Sequence, residues 1–166
     1  MILGMSIETF TQVHVVISLI GIFTGLVVLF FGLLGSSRLE GWTAVFLATT
    51  VLTSVTGFLF PIGGFTPALA VGALSMVILA VALLALYVFK LSGFWRWVYV
   101  ATAVAALYLN VFVAVVQAFQ KIDVLNALAP TQSEPPFVIA HTLVLAIFVV
   151  LGILAVIRFR PAPAMA

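Results

Sequence analysis

A chain of 166 residues that is 66% hydrophobic and only 6% charged has too little polar surface to be a water-soluble globule, because soluble domains carry roughly 25% charged residues. Lipid is the solvent this composition demands, and the length leaves room for one compact bundle with short connections. The absence of cysteine rules out disulfides and thiolate chemistry, and the few Lys and Arg behind a net charge of +2 are accounted for by membrane orientation and do not make a nucleic-acid face.

The first span covers approximately 10–34. Ser6 suits its N-cap, Glu8 suits the positive end of the helix dipole, and Gly35 with Ser36 and Ser37 ends it. The opening MILGMSIETF has no basic stretch and no A-x-A site follows the span, so it reads as retained, not as a cleaved signal peptide. Thr11, His14, Ser18, Gly21, Gly25 and Gly32 recur at spacings of three, four and seven and share a stripe. Gly21 and Gly25 form a GxxxG, which lets another backbone approach closely. That stripe is either a helix-packing groove, within the monomer or at a dimer seam, or a groove that admits a ligand ring or lipid tail.

The second span, 41–60, is rich in hydroxyls (Thr43, Thr49, Thr50, Thr53, Ser54 and Thr56) and is stopped by Pro61, Gly63 and Gly64. Thr49, Thr53 and Thr56 lie on one face, with Thr50, Ser54 and Gly57 beside them. Such hydroxyls bond back to their own helix or line a hydrated path for a small neutral solute. Thr66 and Pro67 form an N-cap and N1 pair for the third span, 67–90, and Leu91, Ser92 and Gly93 turn the chain into the fourth, 94–120.

The fourth span holds the strongest polar stripe: Ala103, Ala106, Asn110, Ala114, Gln117 and Lys121, three or four residues apart. An unpaired amide in hydrocarbon costs several kcal/mol, so Asn110 and Gln117 are expected to face the bundle, as glue between helices or as the wall of a polar cleft. The long connection 121–134 reads first as a loop folded over the helix ends; the alternative is a short helix capped by Asp123, with Ile122, Leu125 and Leu128 on one face, lying on the membrane surface or lidding the bundle. The fifth span, 136–157, opens at Pro135 and Pro136.

Five crossings put the termini on opposite sides. Arg38, Lys90, Arg96, Arg158 and Arg160 cluster at one set of ends, and only Lys121 at the other. By the positive-inside rule the N-terminus is outside and the C-terminus cytoplasmic, with Trp42, Trp95, Trp97 and Tyr99 as an aromatic belt at the basic interface.

His14 and His141 stand at similar depth on helices that both start outside. Two imidazoles so placed suit a b-type haem or a quinone head group, provided that their helices are neighbours. A lone interfacial histidine is more often a satisfied polar group than a ligand, and that is the first reading of each. No carboxylate lies in mid-span, which weakens cation or proton-coupled transport, and no nucleophile triad or phosphate-binding glycine loop is present.

The stretches LATTVLTSVTGFLFP, LYLNVFVAVVQAF and LAPTQSEPPF resemble a group of small multi-pass bacterial inner-membrane proteins with no known activity. The resemblance covers three spans and the outer loop, and implies a bacterial inner-membrane setting without a substrate or cofactor.

The sequence therefore predicts an all-α, five-helix transmembrane bundle in a single domain, embedded in the lipid bilayer. The leading function is non-enzymatic: packing with itself as a homo-oligomer or with a larger membrane complex, through faces that include Gly21, Gly25 and Gly32. An outward polar pocket of His14, Ser18, Asn110, Gln117 and His141 accompanies it. The alternatives are a haem b- or quinone-binding redox or carrier protein using His14 and His141, and a channel or carrier for a small neutral solute.

Overall fold

A backbone in lipid must satisfy its own hydrogen bonds, and a run of 20 or so apolar residues does this as a helix. The computed structural model describes residues 1–61, 64 and 67–161 and contains five helices long and apolar enough to cross a membrane. The Thr66 cap and the Gly63 stop lie outside the described residues.

Helix α1 (Ile7–Val27) starts at Ser6, whose Oγ accepts the Thr9 N–H at 3.1 Å. It continues into a π-helical stretch, Val28–Leu33, after which the chain turns at Ser36, with φ of 54°. Helix α2 spans Glu40–Phe58. Helix α3 (Pro67–Leu83) likewise runs into a π-helical stretch, Leu84–Val88, before a turn in which Lys90 and Leu91 have φ of 48° and 59°. Helix α4 (Trp95–Lys121) is followed by the short α5 (Asp123–Leu128) and by α6 (Pro135–Arg158). Ile122 occupies the N-cap of α5 and Asp123 its first turn, so the carboxylate acts on the helix dipole without a side-chain cap bond.

Helix α4 is the hub. It packs against α1, α2, α3 and α6, while α1 pairs with α2 and α2 with α3. Its buried residues include Tyr99, Val100, Ala103, Ala106, Leu107 and Asn110, and they join Leu29, Phe46, Leu47 and Leu79 in one apolar core. Helix α6 is held by α4 and by the π segment after α1.

The spanning helices alternate in direction, which gathers the basic residues at one end of the bundle and both histidines toward the other. At the basic end an Arg96 Nη1–H donates to the Phe159 carbonyl at 2.8 Å, and the Arg160 N–H donates to Ser36 Oγ at 2.8 Å. These bonds tie the chain beyond α6 to α4 and to the turn after α1. The expected aromatic belt holds only in part. Trp42 and Trp97 are 45% and 50% exposed, but Tyr99 is 2% exposed and packs toward Phe159. Because α4 is surrounded by other helices, a residue one turn from its start already faces protein instead of lipid.

Candidate functional site

The small residues of α1 bring three helices together. A Cβ added at Gly21 would lie 3.2 Å from Thr49 Oγ1, 3.4 Å from Thr50 Oγ1 and 3.5 Å from Asn110 Nδ2. At Gly25 it would lie 2.6 Å from Leu107 Cδ1 and 2.8 Å from Phe46 Cε2. The GxxxG face is thus occupied inside the monomer, by α2 and α4. At Gly32 the neighbours are Ser37 O at 3.5 Å and Leu39 Cδ1 at 3.6 Å.

Asn110 donates through Nδ2 to Thr50 Oγ1 at 3.2 Å, in the buried interior. Thr50 donates in turn to the Phe46 carbonyl at 2.7 Å. Four further hydroxyls of α2 behave alike: Thr49, Thr53, Ser54 and Thr56 donate to Val45, Thr49, Thr50 and Leu52 carbonyls one turn back. Each satisfies its own proton within the helix and keeps its oxygen as an acceptor.

His14 uses that acceptor. Its Nδ1 lies 2.7 Å from Thr56 Oγ1, whose one proton goes to the Leu52 carbonyl at 2.7 Å. With the Thr56 proton on that carbonyl, Nδ1 carries the ring proton and Nε2 the lone pair; the other tautomer reverses the roles. The ring stands edge-on to Phe60, 5.3 Å between centroids.

His141 is built the same way from different parts. Its Nδ1 lies 3.1 Å from the Phe137 carbonyl, which only accepts, so Nδ1 is again the donor and Nε2 the lone-pair atom. The ring packs against Phe137 at 4.2 Å and edge-on to Phe112 of α4 at 4.7 Å. His141 Nε2 is buried and has no hydrogen-bond partner among the described residues. The protein contacts of His14 come from α2, and those of His141 from α4 and its own helix.

Ser18 donates to the Val15 carbonyl at 2.8 Å. Gln117 is exposed. Among the described residues no hydrogen bond joins any two of His14, Ser18, Asn110, Gln117 and His141, and no group of three His, Asp or Glu side chains is placed to hold a metal ion.

Two concave features complete the description. A groove of about 440 Å³ runs between α4 and α6, with Ala101, Ala105 and Gly152 among its lining and Tyr108 and Phe148 toward one end. A larger cavity of about 650 Å³ opens at the basic end, lined by Arg38, Glu40, Tyr87, Lys90 and Tyr99 among others. Arg38 Nε is buried and has no hydrogen-bond partner among the described residues. Hydropathy and spacing do not single out this cavity, because Arg38 and Lys90 are 52 residues apart and each looks like an ordinary interfacial charge.

No family model, curated protein or solved structure matches the chain.

Proposed function

We propose that the chain is a non-enzymatic protein of a bacterial inner membrane, with its N-terminus outside and its C-terminus cytoplasmic, and that it works by associating with a second copy through the flank formed by α4 and α6. The observation that carries this reading is the α4–α6 groove. Its small residues, Ala101, Ala105 and Gly152, let another transmembrane backbone approach closely. It borders a helix whose remaining surface is almost wholly apolar, with Leu145, Val149, Ile153 and Ile157 exposed beside it. The GxxxG face of α1 is already filled by α2 and α4, whereas this flank keeps small residues along a groove open to a neighbour. The same apolar face of a second copy has the chemistry required.

The test is association of labelled copies in liposomes. Ala101 is exposed, so Ala101→Trp fills the groove from the lipid side without entering the core. Energy transfer between copies that falls to the level of an unrelated five-helix protein supports the reading; transfer unchanged by Ala101→Trp, or absent in the parent, removes it.

A second reading, a haem b- or quinol-binding carrier, is favoured by the imidazoles. Each ring is oriented by a bond from Nδ1 to an oxygen, which leaves Nε2 as the atom that ligates iron or accepts from a quinol hydroxyl; α1 and α6 are not a packed pair, so each histidine would act on its own, and Nε2 of His141 is buried. A Soret band after haem-replete expression, lost in His14→Ala or His141→Ala, supports the haem form. A spectrum without that band excludes it.

A further inference from the structure

We infer that the cavity at the basic end binds a phosphate-bearing anion, with Arg38 and Lys90 as the cations that hold it. The guanidinium of Arg96 has an acceptor, the Phe159 carbonyl at 2.8 Å, and its plane lies over Trp97. Arg38 contributes to the wall of the cavity, and no hydrogen bond or ion pair holds its guanidinium among the described residues, its Nε being shut off from solvent. A buried donor on a charged group is costly to leave unmade, and the planar fork of arginine matches phosphate oxygens. Lys90 stands on the same wall, held at φ of 48°. A non-glycine residue in that region persists only where its surroundings enforce it.

Charge balance points the same way. Arg38 and Lys90 face a single carboxylate, Glu40, and none of the three is in an ion pair among the described residues. Helix α2 begins beside the cavity, at Glu40, without a side-chain cap on its first N–H groups, which adds a positive dipole end. Both π-helical stretches border the cavity as well, through Val28 and Gly32 on one side and Leu86 and Tyr87 on the other. Such irregular helix is rare and gathers at functional sites. The inner wall is apolar, with Leu33, Leu91 and Phe159, so a phosphodiester head group with the start of an acyl chain fits as well as a free phosphate.

The experiment uses the full chain in neutral detergent and in nanodiscs. Native mass spectrometry compares retention of phosphatidylglycerol with that of phosphatidylcholine, and thermal unfolding is followed with added inorganic phosphate. Arg38→Gln and Lys90→Gln should each weaken retention about tenfold, the worth of one charge-assisted hydrogen bond. Arg158→Gln, an exposed charge at the same end that does not line the cavity, should stay within about twofold. Preferential retention of the anionic lipid supports a head-group ligand. Protection by inorganic phosphate that depends on Arg38, without lipid preference, supports a soluble one. Should Arg38→Gln fail to fold, the exposed Lys90→Gln gives the same readout. Equal retention of both lipids with no phosphate effect, or retention indifferent to both substitutions, overturns the inference.

Discussion

The amide of Asn110 on α4 donates to the hydroxyl of Thr50 on α2 at 3.2 Å, with the two side chains 9% and 0% exposed. Gly21 of α1 closes over the same spot. Three helices are thus registered by one polar contact in an apolar interior, where sliding α4 by a turn would leave an amide unpaired.

Thr50→Val keeps the shape and removes the acceptor, so the buried Asn110 Nδ2 is left without a partner. Destabilisation of about 1–2 kcal/mol is expected. Asn110→Ala adds a void to the loss. A double-mutant cycle should return a coupling of roughly 0.5–1.7 kcal/mol, the range of interhelical bonds in membranes. Unfolding in mixed micelles of rising SDS fraction reads both, and a coupling near zero would mean that the contact does not hold the register.

The glycines of α1 and of the π-helical stretch after it should rank by the space around them. Gly25→Ala meets Leu107 and Phe46 at distances that real Cβ atoms do not show, and should cost about 1–3 kcal/mol through overpacking. Gly21→Ala meets Thr49 Oγ1 at 3.2 Å and should cost less, and Gly32→Ala, with 3.5 Å to its nearest neighbour, least. The same SDS titration decides it; an inverted order would contradict the α1–α2–α4 packing.

The hydrogen bonds of the two imidazoles predict one tautomer for both. Long-range nitrogen–proton correlation spectra of the neutral rings should show the proton on Nδ1 in His14 and His141. Thr56→Val should release His14 from this form and leave His141 unchanged. A proton on Nε2 in the parent chain would remove the free lone pairs on which the haem and quinol reading rests.

Glu134 precedes α6, outside the spans. Slight desolvation pushes its carboxyl pKa up, but hydrogen bonds from the Thr131 hydroxyl and from the Thr131 and Ser133 amides hold it below the usual value. A carboxyl whose folded pKa is depressed stabilises the fold above the unfolded pKa and loses that contribution as pH falls through the folded one. The amide resonances of Thr131 and Ser133 should therefore titrate together with a midpoint below that of an unperturbed glutamate. The titration should vanish in Glu134→Gln.

The sequence by itself determined that this chain makes five helices able to cross a membrane, because a long apolar run has one way to satisfy its backbone in lipid, and that requirement is local. It also carried the small-residue stripe of α1 and the polar stripe of α4, since helical spacing alone places residues on a face. Which helices meet was decided only in three dimensions. Apolar surfaces in lipid are nearly interchangeable, so hydropathy cannot choose neighbours, and close packing does. That choice made α4 the hub, set Gly25 against Phe46 and Leu107, and drew Tyr99 from the expected belt into the core. It also gave His14 and His141 separate partners on different helices. The cavity around Arg38 and Lys90 depends on two turns and two π-helical stretches meeting at one end, a relation between distant segments that no local pattern encodes.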